Sequence, residues 1–397
     1  MHKQKKSVLI IGAGASGIVA AISASRSGAE VSIVERMPQM GKKVLICGGG
    51  KCNLLNERLD ESFYNDAGRA LVKSVFARFD KADIKNFFRG LGLVTYSEEN
   101  RVFPVTDQAS SVWQILSLEL KRLHVEPKYN FDVETIEKTP DGFTVRAKGA
   151  KSIVCSRLIL AAGGKSYPSL GADGSGFSLA AALGHSIVVP VPAAVPLVIK
   201  DAFCHTLQGQ RVRAHVKAVI NSRIAREETG DLLFTRYGLS GTAVLDVSRE
   251  ISIALHRSGS VQASLVVDMV PFLDQDALKS ELIGRFKKFD NAQDALAGIL
   301  PDKICRAYKS LVRKDAIDDA VLQLKEKKFI VSGTRGWNEA EFTAGGVSTV
   351  EIDHVTLESK RMPQLYLCGE VVDVDGTRGG YNLAWAWASG FVAGLTQ

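Results

Sequence analysis

Six cysteines in 397 residues are too few and too scattered to build a fold. Cys47, Cys52, Cys155, Cys204, Cys305 and Cys368 include no CxxC and no Cys/His array with zinc-like spacing, which excludes a disulfide-built miniature and points to free thiols in a reducing cytosol. His124, His185, His205, His215, His256 and His354 form no spaced cluster either, so no metal site is expected. Long apolar runs are also missing. Ala180–Leu197 comes nearest, but Gly184, His185, Pro190, Pro192 and Pro196 would break a spanning helix. Val8–Ala21, behind a basic start, imitates a secretory signal until Gly12, Gly14 and Gly17 interrupt it. Neither charge sign dominates: 50 Lys and Arg face 43 Asp and Glu for a net +7, and the only dense basic run is Lys3–Lys6. This balance fits an enzyme handling anionic ligands better than a nucleic-acid or membrane-surface protein. A cytoplasmic globular chain with more than one core is the expectation.

What is present is glycine, 36 residues of it, gathered into blocks. Ser7–Ile11 is a short Val/Ile-rich strand, Gly12–Gly17 follows, Ile18–Ser27 continues at helical spacing, and Val31–Val34 is a second strand ending in Glu35. This is a βαβ unit. Gly41–Asn53 reads as a backbone-shaped loop too rich in glycine for regular structure. Helical patterns follow at Ala67–Phe79, Lys81–Leu91 and Ser110–Leu123. A meander (Phe131–Glu137, Phe143–Ala147, Ser152–Cys155) then leads into the apolar strand Leu158–Ala162. Beyond the prolines of 190–196, strands are expected at Ala214–Asn221, Asp231–Phe234 and Ser260–Met269, and helix over Gln275–Gln323. Leu365–Cys368 is again a short strand. The expected fold is α/β, with a nucleotide-binding domain made from both ends of the chain (1–190 and 343–397), an inserted β domain (191–272 and 325–342) and a helical domain (273–324).

Gly12-Ala-Gly-Ala-Ser-Gly17 fits GxGxxG, a pattern whose glycines serve a tight turn, the close approach of a pyrophosphate, and the close packing of helix on strand. Ala15, Ser16 and Gly17 open the helix, whose free N–H groups and positive dipole suit phosphate. Glu35, at the end of the second strand, can accept both hydroxyls of a ribose and disfavours a 2′-phosphate, so FAD or NAD(H) is preferred over NADP(H). No second GxGxxG occurs, which argues against separate flavin and nicotinamide domains. The block 365–390 has the form of a strand, an acidic glycine-rich loop and a helix that could approach a flavin ring.

These motifs, with Gly41-Lys-Lys-Val-Leu, Gly48-Gly-Gly-Lys-Cys-Asn53, Ala161-Ala-Gly-Gly-Lys-Ser-Tyr-Pro168, Leu232-Leu-Phe-Thr235, Gly238-Leu-Ser-Gly241, Thr343-Ala-Gly-Gly-Val347, Gly369-Glu-Val-Val-Asp373 and Gly379-Gly-Tyr-Asn382, follow one order over essentially the whole chain. In that order the chain resembles the bacterial FAD flavoproteins of the aminoacetone-oxidase-like and BaiN-type (YhiN-like) family, within the glutathione-reductase-like superfamily. The resemblance implies a discontinuous Rossmann-like FAD domain with an inserted β-barrel-like domain and a helical domain. It implies FAD contacts at Gly12, Gly14, Ala15, Ser16, Gly17, Glu35, Arg36, Lys42, Lys43, Gly50, Lys51, Cys52, Asn53, Val133, Ala162 and Gly163. At the far end it implies them at Gly369, Glu370, Asp373, Gly379, Gly380, Tyr381, Asn382 and Leu383. Lys51 stands where the family usually has Arg, Arg236 where His is common, Thr242 where Pro is, and Ala384 where Gln is frequent.

The activity this suggests is a FAD-dependent oxidoreductase moving a hydride to or from a small organic substrate, with NAD(P)H or O2 as electron partner. Arg236, as an anion binder, and Tyr237, as a proton relay, are the candidate catalytic residues. A nucleic-acid-directed flavoprotein is a second reading, weakened by the lack of a basic stripe interleaved with aromatics. A third would make Cys47 and Cys52, four residues apart, the redox pair of a flavin disulfide reductase; three intervening glycines and the missing second fingerprint favour assigning Cys52 to the flavin loop and leaving Cys47 incidental.

Overall fold

The structure, a computed structural model, describes residues 7–259 and 261–395; the Lys3–Lys6 run lies outside the described residues. Contacts divide the chain into two units, one running to Pro190 and resuming at Phe342, the other Val191–Glu341. No helix among the described residues is long and apolar enough to cross a membrane.

The first unit is built on β1 (Ser7–Ile11), α1 (Ala15–Arg26) and β2 (Glu30–Val34). Val8, Leu9, Ile10 and Ile11 are all buried, because a parallel sheet is covered on both faces and its strands are apolar without alternation. β3 (Arg157–Leu160) and β4 (Leu365–Leu367) complete a four-stranded parallel sheet in the order β4-β3-β1-β2, with Leu158 aligned to Leu9 on one side and to Leu365 on the other. The helix α2 (Tyr381–Leu395) lies along α1. Small residues permit the close approach: an added Cβ at Gly390 would stand 2.3 Å from the Ser16 carbonyl oxygen, and one at Gly394 2.5 Å from that of Ala20. Ser23 Oγ donates to the Phe391 carbonyl across the same seam at 2.8 Å.

The expected helices form at Arg69–Phe76, Lys81–Gly90 and Ala109–Arg122, and the meander forms at Val133–Thr139, Gly142–Ala147 and Ile153–Cys155. The reading of Gly41–Asn53 as wholly irregular is corrected: Lys42–Ile46 is a turn of α-helix. The glycines sit at its flanks, and Lys-Lys-Val-Leu-Ile contains none, so nothing in that stretch resists helical geometry.

In the second unit, a seven-stranded sheet runs in the order Lys327–Ile330, Ala263–Asp268, Arg211–Ile220, Arg223–Thr235, Gly238–Ser240, Leu197–Val198, Gly333–Thr334. Helix Thr242–Arg257 packs on the two long strands. The stretch expected to be helical, Gln275–Gln323, is carried by four helices, Gln275–Phe286, Ala292–Leu296, Asp302–Ala307 and Ile317–Lys325. Phe203, Phe234, Tyr308 and Phe329 meet at the centre with ring centroids 5.2–6.4 Å apart.

Candidate functional site

All four parallel strands release their chain at the same edge of the sheet. β1 ends at Gly12, β2 at Glu35, β3 at Ala161–Gly163 and β4 at Cys368–Glu370. The connection from β1 to β2 goes to one side, while β3 lies on the other side of β1, so the loops after β1 and β3 flank a switch point where ligands of open α/β sheets bind. The two loops touch: Gly12 has φ 102°, and an added Cβ would lie 2.5 Å from the Ala161 carbonyl oxygen. Gly17 is equally constrained, its virtual Cβ 1.8 Å from the Gly12 oxygen, whereas one on Gly14 would meet nothing within 4 Å. Gly14 is also the N-cap of α1 and supplies no capping side chain, so the helix presents its first N–H groups toward open space. Gly369, φ 75°, closes the floor, since a Cβ there would strike Ser16 Oγ.

Glu35 is half-buried and already organised: Oε2 accepts from the Ala13 amide at 2.8 Å and Oε1 from the Met37 amide at 2.9 Å, leaving each oxygen a further lone pair. Burial pushes its carboxyl above the ordinary carboxylate value despite these bonds. Arg36 pairs with Asp132 at 3.1 Å and with Asp173. Val133, half-buried, opens the meander beside Asp132.

A second cluster joins residues far apart in sequence. Lys43 Nζ donates to Glu370 Oε2 at 2.6 Å and to Ser166 Oγ at 2.8 Å; the Ser166 hydroxyl and the Thr343 amide reach Glu370 Oε1 at 3.1 and 2.8 Å. Burial opposes the charge on Glu370, but the Lys43 ammonium and these hydrogen bonds hold its carboxyl below its ordinary value. Sequence reasoning assigns no role to Ser166 and Thr343. Their motifs, Ala161–Pro168 and Thr343–Val347, are visible, but no spacing signals a contact 123 or 327 residues apart.

The Gly48–Asn53 loop meets the loop before α2. Asn53 Oδ1 is buried without a hydrogen-bond partner, and an added Cβ on Gly380 would lie 2.9 Å from it. Gly50 has φ 89°, Cys52 is fully buried, and Lys51 leans outward to pair with Asp107 at 3.1 Å. Asp107 also accepts from Tyr96 Oη at 2.6 Å, which pushes the half-buried tyrosine up to about 12. Gly379 accepts from Asn56 Nδ2 at 3.0 Å, Tyr381 stacks on Phe63 at 4.5 Å, and Leu383 lies half-buried at the edge of the core. The Asn382 side chain bonds both the N–H and the C=O of Gly376 at 2.9 Å, bracing the loop; Asp373 accepts from Asn65. Lys42 starts the helical turn next to Lys43, and Ala162 and Gly163 (φ 76°) continue from β3.

These residues fit a dinucleotide such as FAD. An added Cβ at Gly14 meets nothing within 4 Å beside uncapped amides, the Glu35 carboxylate with spare lone pairs ends the second strand of the same βαβ unit, and the orphaned Asn53 acceptor matches a ligand donor such as a ribityl hydroxyl or a flavin N–H. Arg236 and Tyr237 belong to the second unit, in the turn between Arg223–Thr235 and Gly238–Ser240. Arg236 is exposed; the half-buried Tyr237 ring lies 4.6 Å from the guanidinium of Arg335.

Comparison with known proteins gives three findings of the same extent. The model of the family described as HI0933-like protein Rossmann domain matches residues 6–396. A 3-dehydro-bile acid delta(4,6)-reductase of Clostridium scindens is 37% identical over 97% of this chain and 97% of its own length. Ribosomal RNA dihydrouridine synthases of Escherichia coli and Haemophilus influenzae are 29% and 28% identical, over 96% and 98% of this chain and 95% and 97% of theirs.

Proposed function

Because the chain belongs to the HI0933-like Rossmann family, we propose that it is a FAD-dependent oxidoreductase that saturates a carbon–carbon double bond conjugated to a carbonyl. The observation that carries the FAD assignment is the cradle itself: uncapped amides at Gly14, the Glu35 carboxylate, and the orphaned Asn53 oxygen. The reaction class draws on the relatives. Reducing a 3-dehydro bile acid at Δ4,6 and making dihydrouridine from uridine both add hydride and proton across a double bond activated by a carbonyl.

Bound FAD would supply the hydride chemistry. The chain's own residues bind and orient it: the α1 amides take the pyrophosphate, Glu35 the adenosine ribose, and Asn53 a donor of the flavin half. Lys43 and Glu370 hold the loops after β2, β3 and β4 in one arrangement through Ser166 and Thr343. Arg236 binds an anionic or carbonyl group of the substrate and Tyr237 holds the proton to be delivered. NAD(P)H is the electron donor in this reading, and six free cysteines suit the reducing cytoplasm.

The specific observation for a second reading is that two relatives covering nearly all of this chain are named for ribosomal RNA. One experiment separates the two: anaerobic stopped-flow of the NADH- or NADPH-reduced protein mixed in turn with a 3-oxo-4-ene steroid, a uridine-containing ribosomal RNA fragment, and oxygenated buffer. Flavin reoxidation by the steroid alone is expected. Reoxidation by RNA alone moves the substrate to nucleic acid, and reoxidation by oxygen alone replaces the reductase with an oxidase.

A further inference from the structure

The loop joining the Lys42–Ile46 turn to Asn53 holds two thiols for which the reductase reading has no use. The Cys52 amide donates to the Cys47 carbonyl at 3.0 Å, folding the segment back on itself. Gly48, Gly49 and Gly50 between them all have positive φ, and an added Cβ on Gly49 or Gly50 would meet nothing, so the turn has room to adjust. That backbone hydrogen bond sets the two cysteines beside each other across the turn. Their surroundings differ. Cys52 is 0% exposed, while Cys47 is half-buried and donates its thiol hydrogen to the Val44 carbonyl at 3.0 Å. Contact with Cys47 and burial push the Cys52 thiol well up, so it stays protonated and the accessible partner is the point of attack. The other four cysteines are all buried; Cys204 and Cys368 are pushed up to about 12 by burial.

The geometry points to a reversible redox modification site, in which Cys47 and Cys52 close to a disulfide within the loop when a hydroperoxide reaches it. With hydrogen peroxide, Cys47 gives up its thiol proton and its sulfur attacks one oxygen; the O–O bond breaks, Cys47 keeps that oxygen as a sulfenic acid, and the released hydroxide takes up the proton and leaves as water. The Cys52 sulfur then displaces the hydroxyl from the Cys47 sulfur, and the Cys52 proton departs with it as the second water. Two thiols lose two electrons, one peroxide gains two, and a small dithiol reverses the bridge by exchange.

The test uses the reduced flavin-loaded protein, freed of reductant, exposed to hydrogen peroxide, alkylated and digested. Thiols counted in denaturant should fall from six to four, the peptides carrying Cys47 and Cys52 should run linked, and dithiothreitol should restore all six. Cys47→Ser should keep its flavin and hold its remaining thiols through the same treatment. In Cys52→Ser, Cys47 should stop at a sulfenic acid captured by dimedone. Six thiols surviving peroxide in the wild type overturns the proposal, as does Cys47 advancing to sulfinic acid with Cys52 still free. Thiol count and peptide mass do not read the flavin, so failure here is distinguishable from failure of the reductase reading.

Discussion

In the first unit, Gly12, Gly17, Gly390 and Gly394 stand where an added Cβ would lie 1.8–2.5 Å from a backbone oxygen; in the second, Phe203, Phe234, Tyr308 and Phe329 fill the centre with rings. The second unit brings backbones this close at a hairpin, where Gly238 and Gly241 would clash with the Leu197 and Asp231 oxygens. The first unit also has a ring cluster, at Phe79, Phe87, Phe88, Trp387 and Phe391, so the contrast lies in its strand-edge loops and not in its core. Loops pressed together at a strand edge leave the α1 amides uncapped and the buried Asn53 acceptor without a partner, and those groups can hold a ligand. On the proposed function, this difference puts cofactor retention in the first unit and leaves the second to vary with the substrate.

The largest effect that would break this division is expected at Gly12. Gly12→Ala places a Cβ against Ala161 at a φ that L-residues avoid, with strain on the order of 1–3 kcal/mol before the steric clash is counted. The protein should purify without flavin, read as the ratio of 450 nm to 280 nm absorbance. A yellow Gly12→Ala protein would mean that the two loops need not touch.

Next comes Glu35→Ala. Losing charge-assisted hydrogen bonds should weaken FAD by about 1.5–3 kcal/mol, roughly ten- to a hundredfold in Kd by flavin fluorescence titration. Glu35→Gln should fall between, since an amide oxygen still accepts from one of the two amides it now holds. Wild-type affinity in both variants would remove Glu35 from the ribose.

Arg236→Ala sharpens the other half. With flavin content and spectrum unchanged, kcat/KM should fall by about 2 kcal/mol, roughly thirtyfold, as expected for a lost hydrogen bond to a charged group. Flavin loss would instead make Arg236 part of the cofactor shell, against the division drawn above.

The smallest effect concerns pH. His185 is buried between Glu351 and Ser359, with Nδ1 3.0 Å from Glu351 Oε2 and Nε2 2.9 Å from Ser359 Oγ, and Arg361 pairs with the same carboxylate at 2.6 Å. Burial holds His185 below its ordinary 6.5; Glu351 is held down to about 2, where burial is outweighed by Arg361, Ser186 and His185. Both folded values are depressed, so both contributions are present above the unfolded pKa and are lost as pH falls. The melting temperature should decline first as pH drops below 6.5 and again below 4.5. His185→Asn should flatten the first decline; a wild-type melting curve unchanged between pH 7 and 5 would refute it.

The parts of this site that are legible in sequence are those encoded within one βαβ unit. Gly12–Gly17 and Glu35 are adjacent in space because a strand, a helix and a strand of ordinary length put them there. The Lys43–Ser166–Glu370 cluster is not legible, because two charges and a hydroxyl that far apart carry no local pattern. Arg223–Thr235 is legible only at its apolar end, since its first half is exposed and charged and lacks the alternation that marks a half-buried strand. Helix Thr242–Arg257 escapes the sequence reading although its buried positions Val244, Val247 and Ile251 recur at helical spacing.

The seam between α1 and α2 sets the order of assembly. Synthesis proceeds from the amino end, so α1 emerges long before Gly390 and Gly394, and the Ser23–Phe391 bond spans 368 residues. Closing so long a loop is slow and entropically unfavourable, and until it happens Gly369 lacks its hydrogen bonds to Ser389 and Trp385 of α2. On the proposed function, FAD capture is therefore expected only after the α2 segment has left the ribosome, and the fall in free-FAD fluorescence would time the closing of this seam.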